Sequence, residues 1–383
     1  MKTIAVIFGG RSTEHDISII TALSTIIPAL ERSGKYLVEP VYISKSGTWH
    51  LGAALKQIAL YQSGKIEDYI KDNKPAQIMF KEGMVLSQPT KIGKKNLSVH
   101  VGIAFPALHG TNGEDGALMG LLEMAGIPYV GCDVAASSVS MNKVLAKQIT
   151  GSVGILSTPW ATIDAHDLHD KKLVQNKLQH LEYPIFVKPA HLGSSIGISK
   201  VIKKEQLHNA LEVAAYYDNL IIVEQAVDNL IEVTLPIIGN ETPIPSLLEQ
   251  PLAQSDGFFD FDKKYINQGG KKNSNKGSQG YSTIPAKLPK KLYNEAEAMA
   301  LNVYKAVNCS GIARVDMLID SKTQVVYFNE INPMPGSLYA HNWRVKGVST
   351  VDLVDKLVTY AEQRHKRTER LNTTFSTNFL KQF

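Results

Sequence analysis

The sequence is poor in cysteine, in long apolar runs and in excess charge. Only two cysteines, Cys132 and Cys309, occur in 383 residues. Two thiols build neither a disulfide framework nor a multi-thiolate zinc site, and so few of them suit a reducing compartment. No apolar run approaches the roughly 18 residues a membrane helix needs. The apolar stretch at 4–8 follows a single lysine. It is too short for the core of a secretory signal and reads as a buried first strand entering a glycine turn. The 41 Lys and Arg exceed the 36 Asp and Glu by enough for a formal net charge of only +5. Spread over this length, that excess does not mark a nucleic-acid binder. The expectation is a soluble cytoplasmic protein with neither nucleic acid nor membrane as partner.

What is present is ordinary globular composition, 44% hydrophobic and 20% charged. At about 150 residues per domain the length suggests two or three domains. The first third alternates a strand at 4–8, a turn at 9–13, a helix at 14–33 and strands at 38–43 and 99–106. Alternation of this kind predicts a parallel sheet covered by helices, with ligands beyond the carboxyl ends of its strands. A domain boundary is expected near 131–132. Beyond it the pattern gives a helix at 141–150 carrying two lysines, strands at 159–163 and 184–188 with a helical segment at 167–181, and a Gly/Ser loop at 193–197. A strand at 221–225 and a β-like stretch at 230–240 follow. Residues 253–283 are basic and rich in Asn, Ser and Gly, the composition of a surface loop. A helix at 289–307, two strands at 311–319 and 324–331, and a helix fraying into a polar tail over 361–383 complete the chain.

The strongest chemical signal lies in the last two strands. Residues two apart on a strand share a face, so Arg314 points with Asp316, and Glu330 with Asn332. A hairpin centred on Thr323 would set Asp316 near Glu330 and Arg314 near Asn332. Two carboxylates and an amide oxygen suit hard, oxygen-seeking Mg²⁺, and the arginine can grip a phosphate or a developing oxyanion. An isolated Asp/Glu pair at this spacing is more commonly a surface salt bridge. The apolar flanks, Ile312, Val315, Met317, Val326 and Phe328 among them, argue instead for burial. A second signal is Lys188 at the end of an apolar strand, followed by Gly193-Ser194-Ser195-Ile196-Gly197. Such a loop offers backbone N–H groups and hydroxyls to phosphates, although it lacks the order of a Walker A loop. Glu224, with Glu232 eight residues on, ends the 221–225 strand, where a solvated glutamate is the plainer interpretation. Glu14 after the Gly9-Gly10 turn and His109 before Gly110 stand where an α/β sheet places ligands.

Together these stretches resemble the D-alanine–D-alanine ligases of the ATP-grasp superfamily. The matching segments run in family order over about residues 1–360: Gly9-Gly10-Arg11-Ser12-Thr13-Glu14, Leu108-His109-Gly110 to Gly116, Met141-Asn142-Lys143, Val187-Lys188-Pro189 to Gly197, Lys264-Tyr265, Ala313-Arg314-Val315-Asp316 and Asn329-Glu330-Ile331-Asn332 with Pro335-Gly336. The resemblance implies an α/β fold: an N-terminal parallel-sheet domain over 1–132 and two ATP-grasp subdomains over 133–235 and 236–362. It makes 253–283 a lid and leaves 363–383 as a tail. Lys143, Lys188 and Ser195 would meet nucleotide phosphates. Glu224, Gln225 and Val227 would bind adenine, and Glu232 the ribose. Asp316, Glu330 and Asn332 would hold two Mg²⁺ ions, or Mn²⁺ in their place. Glu14 would hold the first D-alanine, with His109 nearby. A link of Glu14, Ser194 and Tyr265 would close the lid, and Lys264 and Ser337 would meet the second substrate's carboxylate.

The implied reaction is ATP-dependent joining of two D-alanines through a D-alanyl phosphate, for peptidoglycan precursor synthesis. Arg314 and the Gly336 N–H would stabilise the tetrahedral oxyanion. Two departures touch the second-substrate side. The segment from Gly336 to Ser337-Leu338-Tyr339 is shorter than the family's usual one, and the lid carries a basic insertion, Lys271 to Lys276. The alternatives are a related ligase with D-lactate, D-serine or another amine as acceptor, and a nucleotide-binding module without catalysis. A homodimer is implied by the resemblance alone.

Overall fold

The first strand, Lys2–Gly9, is apolar through its middle because both its faces are covered; Ile4 to Phe8 are fully buried. It lies between Tyr36–Ile43 and Ile103–Pro106, paired to both in parallel, and Trp49–Leu51 adds an antiparallel edge. The computed structural model describes residues 1–90, 95–251, 282–372, 374 and 376–383. The helix expected at 14–33 runs as His15–Thr21 and Ile27–Ser33, joined through one π turn at Ala22–Ile26. Its Ile19, Ala22, Ile26 and Leu30 recur at helical spacing and pack on Ile4, Val6 and Phe8 of the sheet. Each of the isoleucines and leucines so buried contributes about 1.5–3 kcal/mol of transfer free energy.

The stretch at 99–106 is not one strand, which corrects the sequence expectation. Leu97–Val101 joins a separate antiparallel sheet with Gln77–Phe80 and Met84–Gln88, whereas Ile103–Pro106 pairs with the first strand. Gly102 divides them. A Cβ there would stand 3.0 Å from the Thr3 carbonyl oxygen, so the bare backbone lets the chain step from one sheet to the other.

Two antiparallel sheets follow. The first has the order Ser199–Val201, Ile185–Pro189, Leu220–Gln225, Trp160–Asp164 and is backed by helices Lys171–Leu178 and Leu207–Ala215. In the second, Leu230–Gly239 and Val325–Asn332 flank Gly311–Asp320, with Ile244–Pro245 at one edge and helix Lys290–Ala306 packed on the apolar side. The divide expected at 235/236 falls inside the Leu230–Gly239 strand. The last long helix, Thr350–Thr368, runs past residue 362 and sets Leu353, Val354 and Leu357 into the core of the first sheet's helices. The two ends of the chain therefore share one core. Residues 252–281 lie outside the described residues, and with them Lys264, Tyr265 and nearly all of the expected lid. Ser282–Thr283 pairs with Gln250–Pro251. Among the described residues no helix is long and apolar enough to cross a membrane.

Candidate active site

The hairpin adopts the register its spacing predicts. Arg314 faces Asn332 and Asp316 faces Glu330, after which the register shifts so that Met317 faces Phe328. The shift leaves Asn329 as an extra residue on the second strand, a β-bulge that turns the carboxylate end of the hairpin relative to its base. Asn332 Nδ2 donates to Asp316 Oδ2 at 3.1 Å. Arg314 donates from Nε to Asp316 Oδ1 at 2.6 Å and from its terminal nitrogen to Oδ2, a bidentate grip. Its guanidinium also stacks over the Tyr339 ring at 5.1 Å. Burial works against the Arg314 charge, but Asp316 and Tyr339 more than offset it and hold the guanidinium well above its ordinary value. Asp316, Glu330 and Asn332 thus present hard oxygen donors on one face, the set that suits a divalent cation such as Mg²⁺. Two carboxylates and an amide are what the described residues bring together here; no group of three His, Cys, Asp or Glu suited to a metal occurs among them.

The expected helix at 141–150 begins instead at Lys143. Met141 ends the preceding helix, and the Asn142 side chain caps the next by accepting from the amides of Val144 and Leu145, both at 3.0 Å. Lys143 Nζ reaches the Leu192 carbonyl at 2.6 Å and Glu330 Oε2 at 3.3 Å. One turn on, Lys147 is buried and lies 2.7 Å from Glu224 Oε1, while Lys188 lies 2.6 Å from Oε2 of the same carboxylate. Lys188 also reaches Asn329 Oδ1 at 3.3 Å. Burial works against the Glu224 charge, but the two lysines overcome it and hold the carboxyl down at about 2. For Lys147 burial dominates and lowers the ammonium; for Lys188 the glutamates around it outweigh burial and raise it.

Glu224 is therefore not the solvated strand-end glutamate of the plainer interpretation. It is the buried centre of a lysine pair that adjoins the hairpin through the bulge residue. Gln225 accepts the Glu182 amide at 3.2 Å, Val227 is half-buried, and Glu232 lies on Leu230–Gly239 opposite Leu318. These positions follow one another where the chain passes from one antiparallel sheet to the next.

A cleft gathers the remaining candidates. Glu14, His109, Ser194, Arg314, Glu330, Asn332 and Gly336 line it together with Glu114 and Met334. Glu14 occupies the N-cap of His15–Thr21 but does not cap it; its carboxylate accepts the Ser194 hydroxyl across 180 residues of sequence. Ser194 and Ser195 both hold left-handed backbone, φ 52° and 61°, which turns the loop towards Glu14. Gly110, at φ 71°, has no room for a side chain, since a Cβ would stand 2.5 Å from Ser12 Oγ and 2.8 Å from Glu14 Oε2. His109 is buried, with Nε2 2.9 Å from Thr21 Oγ1 and Nδ1 3.8 Å from Glu114 Oε2. Burial alone would lower its imidazole, but Glu114, with Glu14 behind it, wins against burial and Arg314 and raises it. Ser337 follows Gly336 and turns its amide to Thr21 Oγ1 at 3.1 Å.

Lys147, Glu114 and Thr21 were absent from the residues singled out in the sequence. Lys147 had a usable signal, its i+4 spacing from Lys143 on one helix face. Thr21 had none, because its partners His109 and Ser337 are remote in sequence; Glu114 stands inside the 108–116 segment, and only its bond to the Met334 amide is remote.

Comparison with known proteins bears on the arrangement. A family model described as "D-ala D-ala ligase N-terminus" matches residues 3–132, and "D-ala D-ala ligase C-terminus" matches 149–359. The D-alanine--D-alanine ligase of Thermoanaerobacter sp. (strain X514) is 37% identical over 370 residues, covering 95% of this chain and 97% of that protein. Among solved structures, the D-alanine-D-alanine ligase from Coxiella burnetii superposes with a TM-score of 0.77 at 28% identity over 96% of each chain. The VanG D-Ala:D-Ser ligase from Enterococcus faecalis gives a TM-score of 0.77 at 31% identity, over 94% of this chain and 99% of that one.

Proposed function

The chain belongs to the D-alanine–D-alanine ligase family, and from that premise we propose how its own residues carry out the ATP-dependent joining of two D-alanines. It is an ATP-dependent ligase of the ATP-grasp fold that serves peptidoglycan synthesis. The observation that carries the assignment of roles is the single cleft uniting Glu14, Ser194, Arg314, Glu330, Asn332 and Gly336. It unites an ammonium acceptor, metal-type oxygen donors and oxyanion donors drawn from opposite ends of the chain.

In the first step a carboxylate oxygen of one D-alanine attacks the γ-phosphorus of ATP, and ADP leaves. Two anions must approach each other, so positive charge has to be in place beforehand. Lys143 and Lys188 supply it on the phosphate side, each held by a carboxylate, and Ser195 adds a hydroxyl from the loop. Glu14, steadied by Ser194, holds the ammonium of the first D-alanine, with His109 beside it. Asp316, Glu330 and Asn332 would hold Mg²⁺, two ions with Mn²⁺ as a substitute, which when bound neutralises phosphate charge. Glu224, Gln225, Val227 and Glu232 would receive adenine and ribose. In the second step the amine of the other D-alanine attacks the acyl carbon, the tetrahedral oxyanion draws on Arg314 and the Gly336 N–H, and phosphate leaves as the peptide bond forms. Lys264, Tyr265 and Ser337 would close over and hold the acceptor, keeping water from the acyl phosphate. We further propose three domains, the expected 1–132, 133–235 and 236–362 with the second boundary moved ahead of the Leu230–Gly239 strand and the third to the end of Thr350–Thr368, a tail beyond them in place of 363–383, a homodimeric assembly and a cytoplasmic location.

ADP release measured with D-alanine, D-serine, D-lactate and other D-amino acids tests the reading. D-Alanine with Mg²⁺ should support turnover and yield D-alanyl-D-alanine. Turnover with D-serine or D-lactate as acceptor but not D-alanine would move the chain to another acceptor, and none across the panel would leave only a silent nucleotide-binding module.

A further inference from the structure

We infer that Thr21 is a positioning residue for the acceptor side of the reaction: its hydroxyl oxygen anchors the turn that follows Gly336, and the His109–Glu114 pair fixes that hydroxyl in turn. The inference rests on the ligase reading and concerns the same cleft. Thr21 ends the helix His15–Thr21 and is fully buried. Its Oγ1 accepts the Ser337 amide at 3.1 Å and lies 2.9 Å from His109 Nε2. Behind the imidazole, Glu114 Oε2 accepts the Gly110 amide at 2.6 Å while Oε1 accepts the Met334 amide at 3.2 Å. One buried carboxylate thus ties the His109-Gly110 loop to the segment that leads into Pro335-Gly336.

The turn needs such an anchor. Ser337, Leu338 and Tyr339 have φ of 49°, 55° and 50°, three successive non-glycine residues in left-handed backbone. L-residues visit that region singly, and a run of three persists only where its surroundings over-determine it. The Leu338 amide bonds back to the Pro335 carbonyl at 2.9 Å, and Leu338 is itself buried. Beside the packing of Leu338 on the same N-terminal helix, the Thr21 hydroxyl supplies the hydrogen bond that ties the start of the turn to it. At the other end Tyr339 lies under the Arg314 guanidinium. Release of the turn would therefore disturb Gly336, Ser337 and Arg314 together, all on the acceptor side. Lys143 and Lys188, on the ATP side, have no bond to Thr21.

The test compares the full chain with Thr21→Val and Thr21→Ser, reading initial rates against ATP and against D-alanine over a range wide enough to separate donor from acceptor sites. Thr21→Val should raise the acceptor KM about tenfold or more and leave the ATP KM within about twofold, while Thr21→Ser should stay within about threefold of the parent throughout. Hydrogen exchange of the Ser337 amide should quicken in the valine variant alone. Unchanged acceptor KM, an equal rise in both KM values, or unaltered Ser337 exchange would overturn the assignment. Should the valine variant not fold, Glu114→Gln provides the second reading: the same acceptor-only rise supports the relay, and its absence overturns it. Absence of D-alanine-dependent ADP release in the parent would instead overturn the ligase reading beneath it.

Discussion

Replacement of Arg314 by alanine is expected to lower kcat about 10²–10³-fold while ATP binding persists. The guanidinium is buried, held in a planar bidentate grip by Asp316 and capped by the Tyr339 ring, beside the place proposed for the developing charge. It is thereby aimed before the reaction begins, which is where a preorganised donor gains most over water. Lys143 and Lys188, the lysines proposed to meet the phosphates, take no part in that grip, so nucleotide affinity should survive. Arg314→Lys keeps the charge and loses the planar fork, so it should recover only part of the rate. Steady-state rates paired with ATP titration by calorimetry check both halves. A variant that loses ATP binding as well would make Arg314 a nucleotide ligand rather than an oxyanion donor.

The second large effect is one of stability. Glu224→Ala removes the carboxylate between Lys147 and Lys188 and leaves two ammonium groups crowded and largely buried. Breaking a buried pair on one side typically costs about 3–5 kcal/mol, which urea unfolding should register. The pH dependence follows from the direction of the shift. Glu224 falls from an ordinary 4.5 to about 2 in the folded chain. Its stabilisation is complete above the unfolded value and is lost as pH drops from there towards the folded one. Between those limits the parent should lose stability that a Glu224→Gln variant does not. Equal acid sensitivity of the two would mean that the carboxylate is not clamped.

Much of this site could be read from spacing. Strand periodicity and a turn at Thr323 were enough to bring Arg314 to Asn332 and Asp316 to Glu330, because a hairpin couples sequence distance directly to register. The bulge at Asn329 was invisible in the pattern, since the apolar Val325 to Phe328 before it and the alternating Glu330-Ile331-Asn332 after it each read as plain strand. The break at Gly102 was hidden in a similar way: a mostly apolar stretch interrupted only by His100 and Gly102 fits one strand as well as two that enter different sheets. Asn142 was readable as a cap only once the helix start was known. Contacts that join remote segments had no local trace. Thr21 and His109 are 88 residues apart, Glu114 and Met334 220. Side chains of this kind are set by how the elements pack, and single-sequence periodicity carries no information about that.

Oxygen transfer from D-alanine to phosphate reports whether the carboxylate is activated by phosphorylation. D-Alanine labelled with ¹⁸O in its carboxylate is turned over with ATP and Mg²⁺, and the released phosphate is weighed by mass spectrometry. If this cleft brings a carboxylate against a triphosphate and activates it as an acyl phosphate, each phosphate formed with dipeptide carries one labelled oxygen. Dipeptide formed with unlabelled phosphate, or ADP released at the same rate without D-alanine, would rule out acyl-phosphate activation in this cleft.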